Sequence, residues 1–389
     1  MNSVTDSAKS DHRPALFLMT NTFETGGGER QFATLAGALN PQHLRVRIGC
    51  LRKRGAFAEG LGEIAEFPPG GSLFGFGSQR ARFKLGRHLR GHRALIAHSF
   101  DFYSNLMMIP AARLAGVPVV VGSQRQLGDL MNGVRNGTQH ALFRLCDRIV
   151  CNSHAAAARL QQVGIKPDKL AVIPNALAGD VFAQTVPAFP AVPGRVRVVM
   201  VARMNDSAKR HDVFLKSAAR LAPKYRNIEF VLAGDGPLRS RLERMAGELN
   251  LGERVTFLGD RRDIPAVLAA CDISVLTSDS ESLSNAIMES LAAGVPVVAC
   301  RVGGNDELIR DGENGFLVQP GNAEQLAERI ETLVNQFEMR KLFGAAARNA
   351  TRNFTVEAIC GQYERLYMSL LEEKGIGQAQ LLRFGEESG

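Results

Sequence analysis

Residues 277–318 read TSDSESLSNAIMESLAAGVPVVACRVGGNDELIRDGENGFLV, and this stretch decides the fold. The apolar run Ile273–Leu276 precedes it, and a polar loop and a helical segment then lead to the apolar strand Val295–Ala299 and the pair Gly303-Gly304. Strand, loop, helix, buried strand and glycine-rich loop in succession are typical of a βαβ unit whose loops lie at the carboxyl edge of a parallel sheet. The stretch therefore predicts an α/β fold with a ligand site at that edge.

Two glutamates stand on either side of the predicted helix start. Free backbone N–H groups near Ser284–Ala286 form a seat for a phosphate. Glu289 lies about a turn further along the helix and is placed to accept hydrogen bonds from sugar hydroxyls. Glu281, in the loop before the helix, can reach a second polar group of the same ligand. An isolated pair of acids would indicate ordinary surface glutamates, but with its flanking elements the pair suits a sugar nucleotide.

This stretch resembles the signature of retaining glycosyltransferases of the GT4 type, which have the GT-B fold of two doubly wound, Rossmann-like domains facing across a cleft. The resemblance implies that Glu281 lies beside the donor sugar and that Glu289 holds the nucleotide ribose. It implies further donor-site residues at Leu283, Ser284 and Asn285. It also implies a hexosyltransferase that moves a sugar from a nucleotide sugar to a hydroxyl of a glycan or lipid-linked acceptor. One departure is Ser282, where family members commonly have glycine.

The chain of 389 residues is too long for one ordinary core and suits two domains. Strand and helix patterns alternate through both halves, and a proline-punctuated passage separates them. We predict an N-terminal acceptor-side domain over 1–180, a linker over 181–195 and a C-terminal donor domain over 196–355. The resemblance implies that the amphipathic helix within 356–374 crosses back to the first domain. Residues 375–389 are predicted to be a loose tail.

The second domain opens with the segment VARMNDSAKRHD, which carries two cations suited to a diphosphate. Arg203 can bind it through a fork and Lys209 as a point charge, and the resemblance implies that both stabilise the leaving nucleoside diphosphate. Arg210 is a rival cation in the same loop. Further along, LAGDGP predicts a strand and a turn, and the resemblance implies that Gly234 and Gly236 border the nucleotide.

In the first domain, residues 26–30 read GGGER and open a helix after the first strand. Gly27 and Gly28 permit close backbone approach at a helix N-terminus, and the resemblance implies that this loop lies against the donor phosphates and the acceptor. His98 ends a strand and is similar to the family histidine that contacts the donor sugar, although a lone histidine is more often structural. Arg125 stands where many relatives carry a histidine.

Composition narrows the remaining options. Contents of 45% hydrophobic and 22% charged residues are typical of a soluble globular protein. We find neither a membrane-spanning run nor a secretory signal, and the six cysteines form no C-x-x-C motif. No Asp-x-Asp pair follows a strand as a metal–diphosphate site would require. We therefore expect a reduced, cytoplasmic protein without metal or cofactor, in which Arg203, Lys209 and helix N-termini neutralise the phosphates.

The net charge of +8 comes from the first domain and is densest in QRARFKLGRHLRGHR, Gln79–Arg93. Arg80, Lys84 and Arg87 recur at helical spacing. Three interpretations stay open: a solvated helix face, a contact of Arg80–Arg93 with an anionic membrane surface or a lipid-diphosphate acceptor, and a nucleic-acid site. No nucleic-acid motif accompanies the charge, so we expect no nucleic-acid partner. A peripheral position on the inner face of the membrane stays open beside the solvated face.

The sequence leaves both substrates open. A UDP-sugar is the favoured donor and a GDP-sugar the next, for bacterial polysaccharide or glycolipid synthesis. A nucleotide-sugar 2-epimerase, which needs no acceptor, and a non-catalytic nucleotide-sugar-binding protein are the alternatives, and the loop of Glu281 and Glu289 favours the transferase over both. An NAD-dependent oxidoreductase is disfavoured because Arg239 occupies the third glycine position of G-x-G-x-x-G.

Overall fold

The computed structural model describes residues 12–24, 26–71, 75–183 and 185–377. Residues 1–11 and most of the predicted loose tail, residues 378–389, lie outside the described residues. Within the described ranges the chain forms two parallel β-sheets, each flanked by helices.

Seven strands of the described chain form the first sheet: β1 (Ala15–Thr20), β2 (Arg45–Cys50), β3 (Ile64–Glu66), β4 (Ile96–Ser99), β5 (Val119–Gln124), β6 (Arg148–Cys151) and β7 (Leu170–Val172). Their order is β3-β2-β1-β4-β5-β6-β7, and neighbours pair in parallel. Alternate side chains of β1 enter two separate cores, Leu16 and Leu18 on one face and Phe17 and Met19 on the other. Both faces are therefore covered, as parallel sheets require.

Six strands of the described chain form the second sheet: β8 (Val196–Val201), β9 (Ile228–Ala233), β10 (Val255–Gly259), β11 (Ile273–Leu276), β12 (Val297–Cys300) and β13 (Gly315–Val318). Their order is β10-β9-β8-β11-β12-β13, again with parallel neighbours. The strand expected over Val295–Ala299 begins instead at Val297. Pro296 has no N–H to give to a ladder, and its carbonyl accepts the N–H of Ser274 at 2.9 Å as the chain enters the sheet.

Helices connect the strands of both sheets. The first sheet carries α1 (Gly27–Ala38), α2 (Phe76–Gly91), α3 (Phe102–Ala115), α4 (Gly133–Arg144) and α5 (His154–Gln162). The second carries α6 (His211–Leu221), α7 (Arg239–Glu248), α8 (Ile264–Ala269), α9 (Asn285–Ala292), α10 (Asn305–Leu308), α11 (Ala323–Asn335) and α12 (Phe337–Thr351), before the last helix, α13 (Val356–Glu373). Among the described residues, every helix is too short or too polar to cross a bilayer.

The two sheets share one winding pattern. In each, the chain adds two strands on one side of the first strand and then returns to continue on its other side, between β1 and β4 and between β8 and β11. At such a switch point the loops diverge and leave a crevice at the carboxyl ends of the strands. The predicted α/β architecture of two doubly wound, GT-B-type sheets is confirmed.

The last helix packs on the first sheet although it follows the second in sequence. Side chains of α13, including Tyr363, Tyr367 and Leu370, are buried in the same core as Leu16 and Phe32. We call the first sheet with α1–α5 and α13 the N-terminal unit, and the second sheet with α6–α12 the C-terminal unit. The chain thus crosses between the units twice.

The two crossings lie side by side. The N–H of Leu177, on the outward crossing, donates to the carbonyl of Phe354 at 2.7 Å, and Leu177 forms a parallel bridge with Thr355 on the return. Thr355 also caps α13, since its side chain accepts the N–H of Ala358. Both connections are therefore held in one small region, on which the relative position of the two crevices depends.

Candidate active site

A cavity of about 240 Å³ lies where the carboxyl edges of the two sheets face each other. Both units contribute to its wall: Gly27, Gly28, Arg125, Asn152 and Asn175 from the N-terminal unit, and Val201–Arg203, Lys209, Leu276 and Glu281–Ala286 from the C-terminal unit. The structure therefore brings together most of the residues that the sequence singled out, in what we call the cleft cavity.

Glu281 is held by two donors on its own side of the cavity. One carboxylate oxygen accepts hydrogen bonds from the Lys209 ammonium at 2.5 Å and from the Ser278 hydroxyl at 2.7 Å. Behind it, the Glu281 carbonyl accepts the N–H of Gly304 at 3.2 Å, and a Cβ at Gly303, where φ is +51°, would come within 1.7 Å of that same carbonyl. Only glycine fits this approach, which fixes the backbone of the Glu281 loop.

Ser282, at the position where glycine is common in the family, joins the two units. Its hydroxyl donates to the side-chain oxygen of Asn152 and lies 3.1 Å from the hydroxyl of Ser153, both in the N-terminal unit. Ser153 also caps α5 by accepting the N–H of Ala156. The departure therefore adds a polar contact between the units beside Glu281.

The cations of the segment after β8 separate into two groups. Arg203 and Lys209 line the cleft cavity. Arg210, whose φ is +50°, turns its guanidinium to Asp212 at 2.9 Å and Asp279 at 3.1 Å, and these acids hold it away from the cavity. Of the two cations Lys209 and Arg210, Lys209 is therefore the one at the cavity wall.

The N-terminus of α9 faces the cavity. The Ser284 hydroxyl accepts the N–H of Ile287 at 3.3 Å and so caps the helix. Asn285 bridges the units, since its side-chain oxygen accepts from Asn175 at 2.7 Å and its amide donates to the carbonyl of Gly27 at 3.3 Å. A Cβ at Gly27 would lie 2.8 Å from that amide nitrogen, so the glycine permits the close approach. The remaining helix N–H groups and their dipole favour an anion here.

Glu289 lies behind the cavity wall and is paired across the units. Its side chain is only 6% exposed and accepts a hydrogen bond from the guanidinium of Arg30, in the first turns of α1. Burial raises the pKa of Glu289, and Arg30 opposes that rise, while the charge of Asp180 adds to it. The sequence alone does not indicate this role of Arg30, because a contact between α1 and α9 has no signature in local spacing.

His98 does not reach the cleft cavity, contrary to the expectation of a sugar contact. It is fully buried at the end of β4, and its two ring nitrogens lie 2.7 Å from the Tyr367 hydroxyl and 2.8 Å from the Ser123 hydroxyl. Burial, reinforced by the charge of Arg125, lowers the pKa of His98 to about 3. In this geometry a neutral His98 anchors α13 to the sheet, which is a packing role.

Gly234 and Gly236 also lie outside the cavity wall. A Cβ at Gly234, where φ is +146°, would fall 2.0 Å from the carbonyl oxygen of Ala202, and one at Gly236, where φ is +151°, would fall 2.5 Å from the carbonyl carbon of Met204. These glycines therefore allow the turn after β9 to pack against the loop of Arg203. They position that loop and make no direct contribution to the cavity surface.

A second concavity adjoins the cleft cavity and shares Gly28 and Arg125 with it. Its carboxylates come from Glu29 and Asp101. Asp101 caps α3 by accepting the N–H groups of Tyr103 and Ser104. Burial raises the pKa of Glu29 above its ordinary value, and the nearby charge of Arg203 opposes that rise. Among the described residues, no cluster of His, Cys, Asp and Glu has the arrangement of a metal site.

We expect removal of the Arg30 guanidinium to destabilise the protein most at high pH. Burial raises the folded-state pKa of Glu289 above its ordinary 4.5, so the ionised carboxylate opposes folding above that pKa and the cost fades as pH falls through it. Arg30→Ala should lower the free energy of unfolding by about 1–3 kcal/mol at pH 8 and by less at pH 5 in urea denaturation. The range is below that of a fully buried pair because the Arg30 side chain is 38% exposed.

Glu289→Gln supplies the control, because it removes the ionisable group and keeps the shape of the side chain. In that background Arg30→Ala should destabilise the protein equally at both pH values. A wild-type background that also gave equal losses would contradict the ion pair as the cause.

Comparison with known proteins shows which family the chain resembles. The family model described as Glycosyl transferases group 1 matches residues 186–350, and that described as Glycosyltransferase Family 4 matches residues 25–178. The lipopolysaccharide core biosynthesis glycosyltransferase LpsE of Rhizobium meliloti is 34% identical over 233 residues, which is 60% of this chain and 67% of LpsE. N-acetyl-alpha-D-glucosaminyl L-malate synthase of Bacillus anthracis is 32% identical over 151 residues, 39% of this chain and 40% of the relative.

Solved structures agree on the fold. Anabaena HepE, in complex with UDP and glucose, superposes with a TM-score of 0.79 at 22% identity, over 90% of this chain and 98% of HepE. Sucrose-phosphate synthase of Thermosynechococcus elongatus superposes with a TM-score of 0.76 at 20% identity, over 93% and 100% of the two chains. With two family models matching its two units and LpsE aligned over two thirds of its length, this chain belongs to the group 1, GT4-type glycosyltransferases.

Proposed function

We propose that the protein is a retaining glycosyltransferase that moves a sugar from a nucleoside diphosphate sugar to a hydroxyl of a glycan or lipid-linked acceptor. The observation that carries the proposal is the cleft cavity, in which Glu281, Lys209, Arg203 and the N-terminus of α9 surround one space between the sheets. Two cations and a helix N-terminus match a diphosphate, and a carboxylate beside them matches sugar hydroxyls.

The donor would lie with its diphosphate between Arg203, Lys209 and the N-terminus of α9. Glu289 lies behind the cavity wall, so a small shift of that wall would be needed for the ribose hydroxyls to donate to its second carboxylate oxygen, the one not bonded to Arg30. The transferred sugar would then lie beside Glu281, whose carboxylate is already oriented by Lys209 and Ser278. Oriented groups of this kind lose little freedom when the donor binds.

Catalysis would consist mainly of stabilising the departing charge. As the bond between the anomeric carbon and the diphosphate oxygen breaks, Arg203 and Lys209 neutralise the charge that develops on that oxygen. The acceptor hydroxyl then attacks from the same face and forms the new glycosidic bond, and a phosphate oxygen accepts its proton. The configuration of the anomeric carbon is retained. With these cations present, we propose that the reaction needs neither a metal ion nor another cofactor.

UDP-sugars are the first donors to test, with GDP-sugars next. HepE, whose fold this chain shares, has crystal structures in complex with UDP, with UDP-glucose, and with UDP and glucose. LpsE is named for lipopolysaccharide core biosynthesis, which favours an acceptor in bacterial polysaccharide or glycolipid assembly. Glu29 lies in the concavity that adjoins the cleft cavity, where it would accept a hydrogen bond from an acceptor hydroxyl, and we call this concavity the acceptor hollow.

Peripheral association with an anionic membrane is a further part of the proposal, together with a cytoplasmic location. Helix α2 turns Phe76 and Phe83 to solvent, and these residues are 86% and 67% exposed, respectively. Arg80, Lys84 and Arg87 are exposed on the same side of the helix. Exposed aromatic rings beside cations are typical of helices that lie in a membrane interface.

We expect UDP to stabilise the wild-type protein in a thermal-shift panel that also contains GDP, ADP and NAD. A ligand present at a hundred times its Kd adds about 2.7 kcal/mol to the free energy of unfolding. Glu289→Gln should weaken UDP binding about 10- to 100-fold, because a neutral amide accepts ribose hydroxyls less strongly than a carboxylate. Glu248→Gln, exposed at the end of α7, is the matched control. Stabilisation by NAD alone would refute the donor assignment.

Lys209→Ala should lower kcat about 100- to 1000-fold with a modest change in KM, because the cation acts on charge that develops in the transition state. The assay measures release of nucleoside diphosphate from sugar conjugates of the nucleotide that stabilises the protein in the thermal-shift panel, with a panel of sugar and polyprenyl acceptors. Lys216→Ala on α6, with 51% of that side chain exposed, is the control.

NMR of the product should give the anomeric configuration of the donor, and EDTA should leave the rate unchanged. A product with inverted configuration would contradict the mechanism. A rate that is lost in EDTA and restored by Mg²⁺ would contradict its metal-free part.

The triple variant Arg80→Glu, Lys84→Glu and Arg87→Glu should abolish binding to vesicles that contain phosphatidylglycerol. Each basic residue near an anionic surface contributes about 1 kcal/mol, so the partition coefficient should fall more than 100-fold. Cosedimentation at low salt measures it, with neutral phosphatidylcholine vesicles for comparison. Arg226→Glu, Arg241→Glu and Arg244→Glu, exposed on the C-terminal unit, make the same charge change. Equal losses in both triple variants would count against α2 as the contact.

A further inference from the structure

A basic concavity of about 300 Å³ lies beside the acceptor hollow. Its wall includes Arg52, Arg54, Gly70 and Gly71, and it shares Asn21 and Tyr103 with the acceptor hollow. The acceptor hollow in turn shares Gly28 and Arg125 with the cleft cavity. The acceptor hollow therefore adjoins the cleft cavity on one side and the basic hollow on the other.

The loop that carries the two arginines is fixed through its backbone. The N–H of Arg52 donates to the carbonyl of Asn21 at 3.0 Å, and the carbonyl of Arg54 accepts the N–H of Phe23 at 2.8 Å. Gly55, with φ of +110°, follows at once, and a Cβ there would lie 2.0 Å from the backbone of Phe23. The two guanidinium groups thus stand on a rigid base at the carboxyl end of β2.

The charge of this basic hollow is only partly compensated. Arg54 pairs with Glu24 at 3.2 Å, and both side chains are more than half exposed. In the part of the chain that the structure describes, no carboxylate lies within ion-pair distance of Arg52. Arginine forks match phosphate oxygens, and the glycine backbone at 70 and 71 allows a bulky anion to approach closely.

We infer that the basic hollow binds a phosphate group carried by the acceptor, while the acceptor's reacting hydroxyl lies next to the cleft cavity. The inference rests on the proposed function, because it takes the middle concavity as the acceptor position. A phosphate anchored at one end would fix which hydroxyl of the acceptor faces the donor. Arg52 and Arg54 are then specificity-determining residues, separate from the groups that stabilise the leaving diphosphate.

The surroundings of the basic hollow suit a phosphate at a surface. The wall segment before α2 is fastened to that helix, since the Ser78 hydroxyl donates to the carbonyl of Pro69 at 2.9 Å. The exposed Phe76 lies in the same first turn of α2. A phosphate in the basic hollow would therefore lie close to the helix proposed to meet the membrane, and two sources share this chemistry: a lipid headgroup and a soluble sugar phosphate.

Titration calorimetry with glycerol 3-phosphate tests the subsite, with UDP present at saturation so that the donor phosphate site is already filled. We expect the wild type to bind and the Arg52→Ala, Arg54→Ala double variant to bind at least tenfold more weakly. Lys53→Ala removes one charge from the same loop at a residue outside the wall of the basic hollow, and should change Kd less than twofold. Arg52→Lys, which keeps the charge without the fork, should give an intermediate loss.

A second arm separates the two sources. Phosphatidylcholine vesicles with a few per cent of phosphatidic acid present the same phosphate on a lipid. Tighter binding to these vesicles than to glycerol 3-phosphate, lost in the double arginine variant, would support the subsite with a lipid source. Binding of glycerol 3-phosphate without any gain from the vesicles would support it with a soluble source.

The remaining outcomes overturn the inference. Equal phosphate binding by the wild type and the double arginine variant would do so, as would binding of glucuronate in preference to phosphate. Because the same samples report UDP stabilisation, the two proposals fail separately. Intact UDP stabilisation without arginine-dependent phosphate binding removes only the subsite, whereas a wild type that ignores every nucleotide removes the donor assignment.

Discussion

The constraint on which the site depends is the direction of the strands. Because all strands of a doubly wound sheet point the same way, every loop that leaves a carboxyl end emerges at one edge, and the reversal of winding order opens a crevice there. In this protein the reversal occurs twice, beside β1 and beside β8. The loops after these strands carry the GGGER glycines and Arg203, so residues far apart in sequence face one another without any long-range signal of their own.

Electrostatic balance is the second condition on this site. Glu281 and Glu289 are both largely buried, and burial of an ionised carboxylate is costly unless a cation or hydrogen-bond donor accompanies it. Lys209 meets this need within the C-terminal unit, whereas Arg30 meets it from the N-terminal unit. The cleft is therefore organised for polar ligands, with carboxylates held in place and helix N–H groups turned toward the cavity.

Local pattern in the sequence was enough for the fold and for one side of the cleft. Apolar runs in the sequence mark the strands that precede Lys209, the Glu281 loop and the start of α9. Because loops that follow parallel strands lie at one edge of the sheet, the ends of these strands give the approximate position of each feature. His98 also ends a strand, but its side chain points into the core beneath α13, and strand position alone does not give the direction of a side chain. The roles of Arg30 and Ser282 arise from contacts between the units. The pattern of a single stretch of sequence cannot show such contacts, because the partners are far apart in the chain.

The adjacent crossings at Leu177 and Thr355 have a mechanical consequence. Two connections bonded to each other form one narrow joint, and a rotation of the units about this joint would leave the hydrogen bond between the crossings intact. The contacts between the units that such a rotation would break include the polar ones made by Arg30, Ser282 and Asn285. Water can replace hydrogen bonds of this kind. An opening of this kind would break hydrogen bonds between the units and leave both sheets paired, so substrates would enter and leave a site whose walls keep their shape.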